Sequence, residues 1–95
     1  MIPLSSPVTT ASGEKVEHIT IAKGSTVFVP IRAINRSEEL WGPDAKEFKP
    51  ERWLDGESGI PSKAKEVQGY HHILTFTDGQ RVCLGRHFAV AEFKV

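Results

Sequence analysis

Proline and glycine residues interrupt the middle of this 95-residue chain and constrain its fold more than any other feature. Residues 49–69 carry them among charged side chains, at Pro50, Gly56, Gly59, Pro61 and Gly69. Proline removes a backbone donor and glycine weakens both helices and strands, so this stretch predicts a long irregular segment. A loop of that length is uncommon in a compact domain unless it is functional or braced by other parts.

Regular structure is predicted on the N-terminal side of that segment. Residues 1–12 contain two prolines and favour extended backbone without a helix. Residues 15–31 predict a β-hairpin, because a Lys-Gly turn at 23–24 separates two stretches of alternating apolar residues. Residues 32–48 are mostly helix-compatible but are broken by Gly42 and Pro43, which predicts short helices.

The composition excludes several classes of protein. Twelve basic residues balance twelve acidic ones, so neither nucleic acid nor an anionic membrane surface is an expected partner. A single cysteine cannot form an intrachain disulfide, which excludes a disulfide-stabilised secreted scaffold. We find no signal-peptide pattern and no apolar run near the roughly 20 residues that span a membrane. We therefore expect this segment to be soluble, or a soluble part of a protein that is anchored elsewhere.

The stretch Phe-Thr-Asp-Gly-Gln-Arg-Val-Cys-Leu-Gly, residues 76–85, delivers a cysteine to the predicted start of a helix. The N-terminus of a helix presents N–H groups and partial positive charge, which favour the thiolate of Cys83 over the thiol. Gly79 permits a positive φ, and Gly85 permits a flat ligand to approach the main chain. Arg81 is a permanent cation suited to bidentate contact with a carboxylate.

The predicted helix occupies residues 84–95. Its apolar residues recur at helical spacing and predict one apolar stripe, formed by Leu84, Phe88, Ala91 and Val95. The pattern stops without a glycine or proline stop signal, so we expect the helix to be truncated at Val95.

Three segments together resemble the cytochrome P450 family. Residues 76–85 match its haem-binding signature, F-x-x-G-x-R-x-C-x-G, at every specified position. Residues 48–53 (Phe-Lys-Pro-Glu-Arg-Trp) resemble the family's meander motif, and residues 21–25 resemble the lysine-glycine turn of its small sheet. The resemblance covers most of the chain and is closest to the eukaryotic, fungal branch.

The resemblance implies a role for each matched residue. Cys83 would be the axial thiolate ligand of haem iron, in iron protoporphyrin IX. Phe76 would pack beside the sulfur, Arg81 would pair with a haem propionate, and Gly79 and Gly85 would complete the haem-binding loop. Separately, Arg52 would join a buried ion network with an upstream Glu-x-x-Arg helix.

The resemblance also implies a mainly α fold with a small β-sheet, of which this chain is a C-terminal part. The expected organisation is one partial domain over 1–95: a hairpin at 15–31, short helices at 32–48, a meander at 49–72, the cysteine loop at 73–85 and a truncated helix at 84–95. The expected reaction is monooxygenation of a small organic substrate, with electrons from an NADPH-dependent reductase that docks near Cys83. The parent protein would lie at the cytoplasmic face of the endoplasmic reticulum membrane.

Other interpretations of the residues stay open at this point. His71, His72 and His87 lie near Cys83 in sequence, so a zinc site is an alternative, although structural zinc usually takes paired cysteines. Cys83 and His87 would share one helix face and could form a nucleophile and base. A third alternative is a non-catalytic truncated product, and we expect the 95-residue chain alone to be inactive.

Overall fold

The computed structural model describes residues 1–95 as short elements joined by turns. Two strands come first, β1 (Ile2–Thr9) and β2 (Lys15–Ile19). Four α-helices follow, α1 (Ile31–Asn35), α2 (Glu38–Trp41), α3 (Ser62–Lys65) and α4 (Arg86–Glu92). Single 3-10 turns occupy Pro50–Trp53, Tyr70–His72 and Gly79–Arg81. None of the helices has the length and apolar character needed to cross a bilayer.

The sheet is a two-stranded antiparallel hairpin of β1 and β2. Gly13 has φ +85° in the connecting turn, where its N–H donates to the carbonyl of Thr10 at 2.9 Å. The register is irregular between Pro3 and Val8, a stretch that includes Pro7, which has no N–H to give to a ladder.

The predicted hairpin over 15–31 is therefore wrong in its pairing. Only Lys15–Ile19 forms a strand, and its partner is β1 rather than residues 27–31. The turn at 23–24 exists, with Gly24 at φ +89°, but Val27, Phe28 and Val29 beyond it are exposed and unpaired. The alternating apolar residues of 27–31 favour a strand, but the pattern does not specify which strand it would pair with. Strand β2 already pairs with β1, across the tight turn at Gly13.

The small sheet and the short helices agree with the sequence prediction in outline. Helix α2 falls within the predicted range of 32–48 and α1 begins one residue before it, and α2 ends where Gly42 adopts φ +88°. Residues 49–72 are irregular over most of their length, but they also contain α3 and two 3-10 turns that the sequence did not predict. The helix predicted over 84–95 is shorter and runs from Arg86 to Glu92.

The core is a single small cluster between α2 and α3. Three side chains are buried, Trp41, Ile60 and Ala64, with exposed fractions of 3%, 4% and 0%. Four half-buried apolar residues pack against this cluster: Leu40, Ala45, Trp53 and Ile73. The last two join the core to the meander and to the start of the cysteine loop, so the core positions both segments.

Candidate functional site

The cysteine loop, residues 73–85, is closed by a few backbone hydrogen bonds. The N–H of Cys83 donates to the carbonyl of Phe76 at 2.9 Å. This bond brings Cys83 back to Phe76, the first residue of the signature segment. Between them, the hydroxyl of Thr77 donates to the carbonyl of Arg81 at 3.1 Å. Gly79 starts the 3-10 turn and has φ +74°, a positive backbone angle of the kind that glycine permits.

Cys83 lies at the exposed end of this loop. It is the chain's only cysteine and its thiol is free. The helix that follows begins at Arg86 rather than at residue 84, so Cys83 and Leu84 precede α4 instead of forming its first turn. The arrangement presents the sulfur outward on a loop whose backbone is held by its own hydrogen bonds.

The surface around the sulfur is apolar and open. Leu84 is fully exposed, and Val82 and Phe88 are exposed as well. A Cβ placed on Gly85 would meet no atom within 4 Å, so nothing in the chain occupies the space in front of that backbone. The predicted apolar stripe is uncovered within these 95 residues, because no apolar side chain packs over Leu84 or Phe88.

Arg81 is also exposed and forms no ion pair within the chain. The Arg81 guanidinium, two positions before Cys83, is thus free to bind a carboxylate that does not belong to this chain. That placement is compatible with the predicted propionate contact, which stays a prediction.

Arg52 occupies a different environment, with only 11% of its side chain exposed. Its Nη2 lies 2.6 Å from Oδ1 of Asp44 and 3.1 Å from the Asp44 carbonyl, and its Nη1 donates to the carbonyl of Trp41 at 3.3 Å. Within these 95 residues the acidic partner of Arg52 is therefore Asp44, and the network with an upstream Glu-x-x-Arg helix stays a prediction. Hydrogen bonds from Lys49 and then Arg52 lower the pKa of Asp44 from 3.8 to about 2.

The two adjacent histidines bind a carboxylate. Glu57 lies 3.3 Å from Nδ1 of His71 and 3.2 Å from Nε2 of His72, and these contacts lower the pKa of Glu57, with the His71 hydrogen bond as the largest cause. His87 neighbours Arg86 at 3.4 Å and makes no hydrogen bond to Cys83. No group of three or more His, Cys, Asp or Glu side chains could hold a metal ion, so the zinc alternative gains no support.

Two residues that the sequence analysis did not single out contact the cysteine loop. The ring of Tyr70 lies 6.0 Å from the ring of Phe76 in an edge-on arrangement, and the guanidinium of Arg86 lies 4.9 Å from the Tyr70 centroid. Asn35, at the end of α1, bonds Leu74 and Thr75 through its side-chain amide. Neither residue belongs to a recognisable motif, and each contact depends on tertiary placement.

Comparison with known proteins identifies the class. The sequence model of the cytochrome P450 family matches residues 1–95. Cytochrome P450 monooxygenase claO of Ampulloclitocybe clavipes is 61% identical over 94 residues, which cover 99% of this chain and 17% of that protein. Cytochrome P450 monooxygenase 91 of Postia placenta is 42% identical over 95 residues, which cover all of this chain and 18% of that protein. No solved structure matches.

The chain belongs to the cytochrome P450 family, and the relatives named above are fungal. It spans less than a fifth of the length of those relatives. Membership implies a haem cofactor, a redox partner and an organic substrate for the family's proteins.

The residues present fit a haem group. The exposed sulfur of Cys83 is a soft ligand of the kind that binds haem iron. The space in front of Gly85 is open, the neighbouring side chains are apolar, and Arg81 supplies an unpaired cation for an acidic substituent. This donor set suits a flat apolar macrocycle that carries carboxylates at its edge.

Proposed function

We propose that this chain is the haem-binding segment of a cytochrome P450 monooxygenase, in which Cys83 would hold the haem iron as a thiolate ligand. One observation carries the proposal: the complete signature of residues 76–85 folds into a loop that presents an uncovered sulfur beside apolar side chains and an unpaired arginine. The family match over the whole chain supports the same assignment.

The residues of the cysteine loop would hold the cofactor between them. Cys83 would bind the iron through its sulfur, and Gly79 and Gly85 would shape the loop and keep the backbone approachable. Arg81 would donate to a propionate, and Phe76 would pack near the sulfur and limit its access to water. Bound haem supplies the oxygen activation by which one atom of O2 enters an organic substrate and the other leaves as water.

The remaining segments would support that loop. Arg52 would fix the meander through Asp44 and the Trp41 carbonyl, and further partners on a Glu-x-x-Arg helix would complete its network. We propose that residues 1–95 are a partial domain of the mainly α cytochrome P450 fold, with the meander over 49–72 and the haem loop over 73–85.

The parent protein would receive electrons from NADPH through a reductase that docks on the face around Cys83. Its place would be the cytoplasmic face of the endoplasmic reticulum membrane. The 95 residues alone would be inactive, because their small core leaves the surface around Cys83 uncovered and offers no wall to exclude water from a bound haem.

The carbon monoxide difference spectrum of the reduced, haem-loaded parent protein tests the proposal. Thiolate ligation gives a strongly red-shifted Soret band, which we expect in the parent and in Gln80→Ala, a control at an exposed loop position without a side-chain hydrogen bond. Cys83→Ser should lose the band. A red-shifted band that survives Cys83→Ser would overturn the assignment.

A further inference from the structure

The side chain of Asn35 makes two hydrogen bonds to the first residues of the cysteine loop. Its Oδ1 accepts from the N–H of Leu74 at 2.7 Å, and its Nδ2 donates to Oγ1 of Thr75 at 3.1 Å. The Leu74 N–H can only donate, so the amide orientation is determined by the network: oxygen toward Leu74 and nitrogen toward Thr75. Nearly forty residues separate the two partners in sequence.

These bonds replace a strand partner. Residues 73–76 are extended or turning backbone outside any sheet, and the N–H of Leu74 has no backbone acceptor. Leu74 is half-buried, and a buried donor without a partner is unfavourable. Asn35, the last residue of α1, supplies that partner through its side-chain oxygen.

The bonded segment leads directly to the sulfur. Thr75 precedes Phe76, and the Phe76 carbonyl accepts the N–H of Cys83 at 2.9 Å. The Asn35 contact at Thr75 is therefore linked to Cys83 through one peptide bond, to Phe76, and one backbone hydrogen bond. Movement of Leu74 and Thr75 would shift the Phe76 carbonyl, which accepts the hydrogen bond from the Cys83 N–H.

We propose that Asn35 is a positioning residue of the thiolate site: its amide holds residues 74 and 75 and thereby sets the position of the Cys83 backbone. This inference rests on the proposed function, because it assigns Asn35 a part in keeping Cys83 bound to iron. The amide offers an acceptor to the Leu74 N–H and a donor to Oγ1 of Thr75 on one short side chain. Alanine supplies neither, and aspartate supplies only the acceptor.

The test uses the carbon monoxide spectrum of the haem-loaded parent protein. It measures how fast the red-shifted band of thiolate-bound haem is replaced by the band of haem that has lost the thiolate. The rate is measured in mild denaturant, at a concentration where the far-ultraviolet circular dichroism is unchanged. Asn35→Ala should convert about tenfold faster, as expected for the loss of two hydrogen bonds. Asn35→Asp should stay within about threefold of the wild-type rate, because it retains the acceptor for Leu74.

Arg36→Ala is the matched control, since Arg36 adjoins Asn35 and its exposed side chain makes no hydrogen bond. The Arg36→Ala protein should convert at the wild-type rate. An Asn35→Ala protein that converts at the wild-type rate would overturn the proposal and leave the proposed function intact. If Asn35→Ala does not fold with haem, Thr75→Val replaces it: we expect conversion about threefold faster, and a wild-type rate overturns the proposal. A wild-type protein without the thiolate band overturns the proposed function, and this inference with it.

Discussion

The guanidinium of Arg52 and the carboxylate of Asp44 meet at 2.6 Å, between the meander and the turn that follows α2. Two further Arg52 bonds, to the carbonyls of Asp44 and Trp41, tie the same side chain to the core cluster. Arg52 thus anchors the 3-10 turn of the meander to α2, where Trp41 is buried. The pair is local, because its members are eight positions apart in sequence, and it forms within these 95 residues.

The ionisation of Asp44 gives a prediction on pH. Its pKa falls from 3.8 to about 2, chiefly because Lys49 and then Arg52 donate hydrogen bonds to it. A depressed acid pKa stabilises the folded arrangement above pH 3.8, and this stabilisation disappears as the pH falls through about 2. Carboxyl carbon chemical shifts of Asp44, followed by NMR against pH, should give a midpoint of about 2.

Lys49→Ala provides the comparison, since it removes the largest cause of the shift. The Asp44 midpoint should rise toward 3.8 in this variant, and Glu14→Gln, at an exposed site in the hairpin turn, should leave it unchanged. A midpoint of 3.8 in the wild-type chain would show that the Asp44 contacts do not form in solution.

Arg81 is predicted to contribute to haem retention in the parent protein. Removal of a charge-assisted hydrogen bond to a propionate should weaken binding by about 1.5–3 kcal/mol, or roughly 10- to 150-fold in Kd. The transfer of haem from Arg81→Ala to apomyoglobin measures this loss. Arg81→Lys should lie between Arg81→Ala and the wild type, because lysine keeps the charge without the bidentate geometry. Equal transfer rates for Arg81→Ala and the wild type would remove Arg81 from the cofactor site.

Tyr70 is predicted to stabilise the cysteine loop through its ring rather than its hydroxyl. The ring contacts Phe76 near the start of the loop and Arg86 just after its end. Tyr70→Leu should destabilise the haem-loaded parent by about 1–2 kcal/mol. An exposed cation–π contact contributes about 0.5–1 kcal/mol, and an aromatic pair contributes about 0.5–1.5 kcal/mol. Tyr70→Phe should remain close to the wild type in urea unfolding. Equal losses in both variants would assign the effect to the hydroxyl instead.

The 95-residue chain alone is predicted to melt broadly rather than in one sharp transition. Only Trp41, Ile60 and Ala64 are buried, whereas Phe48, Leu84 and Phe93 are at least nine-tenths exposed. Burial on this scale supplies little of the apolar free energy that offsets conformational entropy. Circular dichroism against temperature, with a dye that binds exposed apolar surface, measures both properties. A sharp two-state transition without dye binding would contradict the small core described here.

Local signals in the sequence predicted local structure well. The glycine at position 79 permits a positive φ, and the turn there uses that angle. The turn at 23–24 was also correct. Residues 49–69 were predicted to be irregular, and they are so apart from α3 and one 3-10 turn, since proline and glycine act on their own backbone.

Contacts between distant residues could not be predicted in the same way. The partner of β2 was misassigned, because strand alternation states which face is apolar but not which strand pairs with it. Asp44 and Asn35 are polar residues with ordinary capping propensities, and their bonds to Arg52 and to the cysteine loop depend on where the core brings the segments together. The stripe on α4 was predicted from spacing alone, and spacing does not show whether a partner covers it.

In the proposed function, Cys83 supplies the sulfur ligand of haem iron. X-ray absorption at the iron edge of the haem-loaded parent protein measures the atoms bonded to iron directly. We expect one sulfur neighbour in the wild type and in Gln80→Ala, and only nitrogen and oxygen neighbours in Cys83→Ser. An iron without a sulfur neighbour in the wild type, or one that keeps its sulfur in Cys83→Ser, would contradict the proposal.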